Sequence, residues 1–394
     1  MLSVNEAEKL IFSHLLPQHV EEVPLKNAVG RYLAQDILAD RPFPPFDRVA
    51  MDGIAIKGKE SSVGELLQVS GIQAAGEPQK SLLADAIEVM TGAVLPLGVD
   101  TVIPYEHLEW EKDGAMVRII KSFKQGQNVH HNGSDHQQGE VLLKKHAKIT
   151  SAEVAVLATV GKAQVSVVAL PKVAVISTGD ELVPVSDLPE VHQIRRSNGP
   201  MLAARLEFWG IQADEYHLKD DREILEKALK GLVLNYQVLL FTGGVSMGKF
   251  DYLPGVFEAC GITKQFHKVA QRPGKPFWFG TFPKGLVFAL PGNPVSSFLC
   301  YIRYVHPWFA QYFGSELPVQ YAVLDQDINF KPNLTRFCEV KLSFGQDGRL
   351  LASPTGGGGS GDLAKLCRAD AFMELPSNLE IFKKGTIFRI FPYK

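Results

Sequence analysis

Apolar positions recur in more than one rhythm along the chain. Val4, Ala7, Ile11 and Leu15 fall on one helical face, and Ser3 and Glu6 have capping-box spacing, so the pattern predicts an opening amphipathic helix that Pro17 ends. From 20 to about 56, and over 67–105, short apolar runs alternate with turns such as Gly76-Glu77-Pro78 and Pro96-Leu97-Gly98. A further patch over 140–170 ends at Pro171, and all of this reads as short strands. The rhythm then changes. Apolar runs at 172–176, 238–241 and 286–290 are interleaved with helical patterns over 199–209, 222–234 and 295–312. Such alternation predicts a mostly parallel α/β sheet with helices on both faces. After Gly314 a β pattern returns to the end, broken by the glycine run 356–361 and a short helix over 362–368. No fixed-period repeat is found. The fold class expected is α/β plus β, with a central α/β domain, β-rich parts before it and a β domain after it.

Composition narrows the function. The 394 residues are 45% hydrophobic and 21% charged, an ordinary globular balance, and their length predicts two to four domains. With 41 Lys+Arg against 43 Asp+Glu the chain lacks the basic excess that phosphate-backbone binding needs, so nucleic acid is not an expected partner. Cys260, Cys300, Cys338 and Cys367 stand alone, without C-x-x-C or zinc spacing, and read as reduced thiols. The start of the chain carries no basic leader, and no apolar stretch of about 18 residues occurs, so a cytoplasmic location away from the membrane is expected. The 35 Gly and 24 Pro are a modest excess whose position matters more than its size.

That position is the set of loops following the three central strands. Ser177-Thr178-Gly179-Asp180-Glu181, Thr242-Gly243-Gly244-Val245-Ser246-Met247-Gly248 and Pro291-Gly292-Asn293-Pro294 stand where open α/β sheets bind ligands. Glycines there let backbone N–H groups approach an anion, and Thr178, Glu181, Ser246 and Asp251 suit a hard cation such as Mg2+ bridging phosphates. The plainer reading of any one such loop is a tight turn; three on one sheet favour a ligand. Residues 243–249 fit G-x-x-x-x-G-K, but Phe250 follows where a P-loop needs Ser or Thr. Residues 356–361 fit G-x-G-x-x-G without the βαβ unit and ribose-binding acid of a nicotinamide site, and read instead as a flexible or anion-contacting loop. Gln271-Arg272-Pro273-Gly274-Lys275-Pro276 sets two cations on a stiffened turn suited to a tetrahedral oxyanion. In the β-rich part, the segment 42–53 with Asp52, the tip Met90-Thr91-Gly92-Ala93, and His130-His131-Asn132-Gly133-Ser134-Asp135-His136 are polar ends on apolar strands. Adjacent His130 and His131 point apart on a strand, and no fourth ligand is spaced for zinc. The residues alone lead to an α/β protein that binds a phosphorylated or oxyanionic ligand with a divalent cation.

The same loops, in order, resemble a known family. Asp47-Arg48-Val49-Ala50-Met51-Asp52-Gly53, Thr91-Gly92-Ala93, Gly133-Ser134-Asp135, Ser177-Thr178-Gly179-Asp180-Glu181-Leu182, Ser197-Asn198-Gly199, the 242–248 loop, Arg272-Pro273-Gly274-Lys275-Pro276 and Leu290-Pro291-Gly292-Asn293-Pro294 resemble the MoeA family of molybdopterin molybdenumtransferases, to which the gephyrin E domain belongs. The resemblance implies insertion of molybdate into adenylylated molybdopterin, with Mg2+-dependent splitting of the adenylate and release of AMP. It implies a homodimer whose site lies between the α/β domain of one subunit and the β-rich domain of the other, and contact with the protein that makes adenylyl-molybdopterin and with molybdoenzymes. It also implies this organisation: a helix over 1–20 packed on the α/β domain, a linking and dimerisation subdomain over 21–42 and 139–168, a β-rich subdomain over 43–138, a molybdopterin-binding α/β domain over 169–318, and a barrel-like β domain over 319–394.

Carried over by residue, the resemblance makes Asp52, Asp135, Glu181, Asp220 and Asp251 the working acids, with Glu181 and Asp251 holding Mg2+. Asp52 and Thr91 come from the partner subunit. Substrate contacts fall to Thr91, Thr178, Ser197, Asn198, Gly243, Gly244, Ser246, Arg272, Lys275, Pro291, Asn293 and Ser360, with Lys275, Arg336 and Ser360 as donors to molybdate. Two departures stand out: His130 and His131 occupy the place of an Arg found in many relatives, and Asp370 that of a common Asn. A non-catalytic molybdopterin-binding scaffold remains the alternative from another class, against which the retained acids argue, and a tungstate-inserting homologue remains open.

Overall fold

The computed structural model describes all residues except Lys112, 246–251 and 357–360. They form two compact units, one of residues 1–34, 146–150 and 164–394, the other of 35–145 and 151–163.

A six-stranded sheet organises the larger unit, in the order Asp214–Leu218, Val173–Thr178, Val238–Thr242, Gly285–Leu290, Trp278–Phe282, Thr263–His267. The neighbouring strands Val173–Thr178 and Val238–Thr242 are apolar up to their polar ends because both faces are covered. Val173, Val175, Val238 and Leu240 share a core with Leu202 and Leu206 of the helix Asn198–Leu206. Ala174, Ile176, Leu239 and Phe241 face Leu225, Leu229 and Leu232 of Arg222–Asn235 and Val256 and Phe257 of Leu253–Ala259. The first four strands are parallel, as the helix–strand alternation predicts. Trp278–Phe282 runs antiparallel to both its neighbours, so Thr263–His267 again follows the direction of the first four. Only Pro283 and Lys284 separate Trp278–Phe282 from Gly285–Leu290, and a parallel return needs a crossover of about a dozen residues or more.

The opening helix runs Val4–Phe12, with both bonds of the capping box formed and Val4, Ala7 and Ile11 buried. It ends before Pro17. Ser13 closes it, donating from its hydroxyl to Leu10 O at 2.8 Å and from its N–H to Lys9 O, and Leu15 lies beyond it, 44% exposed. The pattern over 295–312 is one helical rod in three parts: Pro294–Cys300, a wider π turn Tyr301–Val305, and His306–Tyr312.

Five strands after it close into a barrel. Gln320–Leu324 pairs with both Leu350–Pro354 and Ile387–Pro392, Thr335–Phe344 with Leu350–Pro354 and Ala371–Leu375, and Ala371–Leu375 with Ile387–Pro392. Closure removes every edge and encloses Leu324, Val340, Ala352, Met373 and Ile390. The short strand Gln271–Arg272 pairs with the start of Thr335–Phe344, setting Arg272 beside Arg336.

The smaller unit holds a six-stranded sheet in the order Thr101–Pro104, Gly53–Ile56, Ala86–Val89, Leu66–Gln73, Met116–Ile119, Leu108–Trp110. Two-stranded ribbons pair Arg48–Val49 with Val129–His130 and Ile37–Leu38 with Val141–Leu143. The patch expected as strands over 140–170 contains a helix, Ser151–Thr159. Its sequence, Ser-Ala-Glu-Val-Ala-Val-Leu-Ala-Thr, holds a short apolar run that reads like a strand, but three alanines favour the helix and only Leu157 is buried. Among the described residues no helix is long and apolar enough to cross a membrane.

Candidate functional site

The loops after Val173–Thr178, Val238–Thr242 and Gly285–Leu290 meet around a cavity of about 450 Å³. It opens where the chain leaves one strand for a helix on either face, the usual binding place of such sheets. Close packing of backbone on backbone makes it. Gly243 has φ +95°, and a Cβ there would sit 2.7 Å from Thr178 O. Gly243 N–H in turn donates to Leu290 O at 3.1 Å. Asn198 ties the loops together, its amide donating to Gly292 O at 2.8 Å and lying 3.4 Å from Thr242 Oγ1. Two helix starts face this space, at Ser197 and Asn293, and neither side chain caps its own helix, which leaves N–H groups for a ligand.

Thr178, Glu181, Ser197, Asn198, Asp220, Gly243, Gly244, Pro291 and Asn293 all line this cavity. Asp180 accepts the Asp220 N–H at 3.3 Å, holding the segment that carries Asp220 next to the first loop. Arg195 and Arg196 also line it, and sequence reasoning passed them over. Their signal was available: a basic pair directly before Ser197-Asn198-Gly199. Arg195 is anchored by its Nε–H to Asp187 O at 2.9 Å.

A second cavity, of about 740 Å³, shares Pro276, Pro291 and Asn293 with the first. Arg272 and Lys275 line it, with Arg336 and Lys365 from the barrel side. Among the described residues neither Arg272 nor Lys275 has an ion pair. Arg336 lies over the Phe330 ring with its Cζ 5.2 Å from the centroid. Buried Gln271 sets the turn between the two cations, its Nε2 donating to Gly274 O at 3.2 Å and its Oε1 accepting from Tyr304. The arrangement gives an oxyanion a cationic pocket beside a polar cavity holding acids. Lys365 is paired with Glu339 at 3.0 Å, an acid that sequence reasoning also missed because it sits in an ordinary strand pattern.

Asp52, Thr91 and Asp135 belong to the smaller unit. Asp52 ends the segment before Gly53–Ile56, and Gly53 is required there: a Cβ would stand 1.9 Å from Ile103 O. The Asp52 carboxylate accepts the Thr91 N–H at 2.6 Å. Thr91, through its N–H first and then its hydroxyl, holds that carboxyl below the usual range, so it is charged at neutral pH. Asp135 is held otherwise. His130 Nε2 lies 2.8 Å from Asp135 Oδ1, and its Nδ1 3.0 Å from Arg48 Nη2. Arginine only donates, so Nδ1 accepts and the proton sits on Nε2, pointing at Asp135. His130 thus bridges Arg48 and Asp135 through its two ring nitrogens. Asp370 accepts the Leu342 N–H at 2.9 Å and pairs with Lys341 at 2.9 Å and Lys394 at 3.6 Å. Two lysines balance its charge.

Ser246, Asp251 and Ser360 lie outside the described residues, as do most of the G-x-x-x-x-G-K and glycine-run patterns. Among the described residues there is no group of three or more His, Cys, Asp or Glu arranged to hold a metal.

Three family models cover almost all of the chain: MoeA N-terminal region (domain I and II) over residues 2–161, probable molybdopterin binding domain over 174–311, and MoeA C-terminal region (domain IV) over 321–393. A protein of Synechocystis sp. named molybdopterin molybdenumtransferase is 38% identical, with 100% of both chains covered. One of the same name from Bacillus subtilis is 34% identical over 99% of this chain and 93% of its own. The crystal structure of a molybdopterin biosynthesis MoeA protein from Pyrococcus horikosii superimposes with a TM-score of 0.86 at 30% identity, covering 100% of this chain and 99% of that one. The family models, the relatives matched from end to end and the superimposed fold agree, and the chain belongs to the MoeA family.

Proposed function

We propose that this protein is a transferase of molybdenum cofactor biosynthesis that inserts molybdate into adenylylated molybdopterin, breaking the adenylate and releasing AMP. The observation that carries this reading is the junction of two cavities: one lined by glycine loops, helix starts and acids, the other by Arg272, Lys275 and Arg336, with Pro276, Pro291 and Asn293 common to both. A phosphorylated substrate fits the first and a tetrahedral dianion the second, so the two would meet across the shared wall. The full-length relatives bear the matching name.

Within that reading the residues divide their work. Gly243, Gly244 and the N–H groups at Ser197 and Asn293 hold phosphate oxygens, while Thr178 and Asn198 fix the loops that present them. Arg272, Lys275 and Arg336 hold the molybdate oxygens and neutralise charge as it builds. Mg2+ fits the hard oxygen donors here, since it is commonly held by one or two carboxylates plus substrate phosphates rather than by a closed protein cage. Glu181 and Asp251 would hold it, and when bound it would offset negative charge on the phosphoanhydride. In the homodimer that we infer, Asp52, Thr91 and Asp135 of the partner subunit complete the site.

The test is AMP release from adenylyl-molybdopterin on adding molybdate and Mg2+. Stoichiometric AMP that requires molybdate supports the reading. Tight pterin binding without AMP would favour the scaffold, and AMP released by tungstate in place of molybdate would reassign the metal.

A further inference from the structure

The second cavity has one acid among its cations. Glu339 stands mid-strand in Thr335–Phe344, and its carboxylate meets Lys365 of the helix Leu363–Arg368 at 3.0 Å. Both side chains line the cavity yet are nearly enclosed, 10% and 13% exposed. Thr355 donates from its N–H and its hydroxyl to Glu339 O, so the acid's backbone is fixed as well. Ion pairs this enclosed are screened little by solvent, and each partner is left costly if the other is removed. Of the four cations lining the cavity, three face it without a carboxylate partner among the described residues and one is tied to Glu339.

We propose that Glu339 limits how tightly this cavity holds an oxyanion, acting as a built-in competitor that occupies Lys365. An entering dianion meets the fields of Arg272, Lys275 and Arg336, but Lys365 turns to it only by leaving Glu339 unpaired. If Lys365 stays, the Glu339 charge repels the anion. Either way the carboxylate subtracts from affinity, which suits a cavity that must release its anion to an acceptor rather than retain it. The assignment rests on the oxyanion reading of the cavity given above.

Charge sign separates this role from a merely structural one. In calorimetric titrations of the whole protein with sodium molybdate, Glu339→Gln should tighten the dissociation constant by about 5- to 10-fold, and Lys365→Met should weaken it by a similar factor. The double variant should return to within about twofold of the wild type. A structural strut predicts weakening from both single variants. Thermal melts establish that each variant is folded; should Glu339→Gln fail to fold, Lys365→Arg, which keeps the charge, should hold wild-type affinity while Lys365→Met loses it. Absence of molybdate binding by the wild-type protein overturns the oxyanion reading together with this proposal. Wild-type binding with Glu339→Gln unchanged or weaker, or Lys365→Arg as weak as Lys365→Met, overturns the role of Glu339 alone.

Discussion

At the scale of single residues, what a side chain does here depends on partners far away in sequence. His306 is an instance. Burial first, and then the positive charges of Arg205 and Lys148, push its pKa down to about 4, and its Nδ1 accepts the Trp209 indole N–H at 3.2 Å. The folded protein therefore holds it neutral while the unfolded chain takes a proton near the ordinary histidine value of about 6.5. Stability from this site is complete above that value and is lost as pH falls from about 6.5 towards 4, by about 3 kcal/mol in all. Thermal melts of the wild type should fall across that window, and His306→Gln should flatten this part of the fall. Asp52 shows the opposite case, a carboxyl kept charged by the Thr91 N–H. Both were visible as residues of a certain type, but only Asp52 lay in a motif, because a half-buried histidine in a helix carries no local mark.

At the scale of elements, local chemistry and packing divide the outcome. The capping box, the three apolar strands and the helices between them follow from spacing, since both periodicity and cap are local. The misreadings came where packing overrode the pattern: the helix Ser151–Thr159 inside a stretch expected as strands, and the early end at Phe12. The loop glycines are the elements' point of contact with function. Gly243→Ala sets a Cβ 2.7 Å from Thr178 O at a φ of +95°, and neither carbonyl nor strand can give way cheaply. We expect a loss of about 1–3 kcal/mol in denaturant titration and a clear weakening of pterin binding. A variant with full stability and full binding would show that the loops are not packed as described.

At the scale of the whole molecule, buried Arg303 joins three parts of the larger unit. It pairs with Glu8 of the opening helix and lies 3.7 Å from Glu374 of the barrel strand Ala371–Leu375, while itself sitting in the helical rod. Its guanidinium also lies 4.9 Å from the Phe391 ring centroid. Arg303→Met would leave Glu374, a carboxyl whose pKa burial already raises, without its nearest cation. A cost of about 3–5 kcal/mol and a melting temperature lower by about 10 °C are expected, and a change under about 1 °C would contradict this bridging role. By itself the sequence determined the family, the α/β alternation and most candidate loops, because glycine, proline and apolar spacing act over a few residues and survive being read in one dimension. Only the tertiary structure decided which loops share a wall, that Gln271–Arg272 lays one cation beside Arg336, that Lys365 is bound to Glu339, and that His130 bridges Arg48 and Asp135. Those are pairings between residues brought together by sheet register, barrel closure and helix packing, and no local rule couples positions that meet only after the chain has folded.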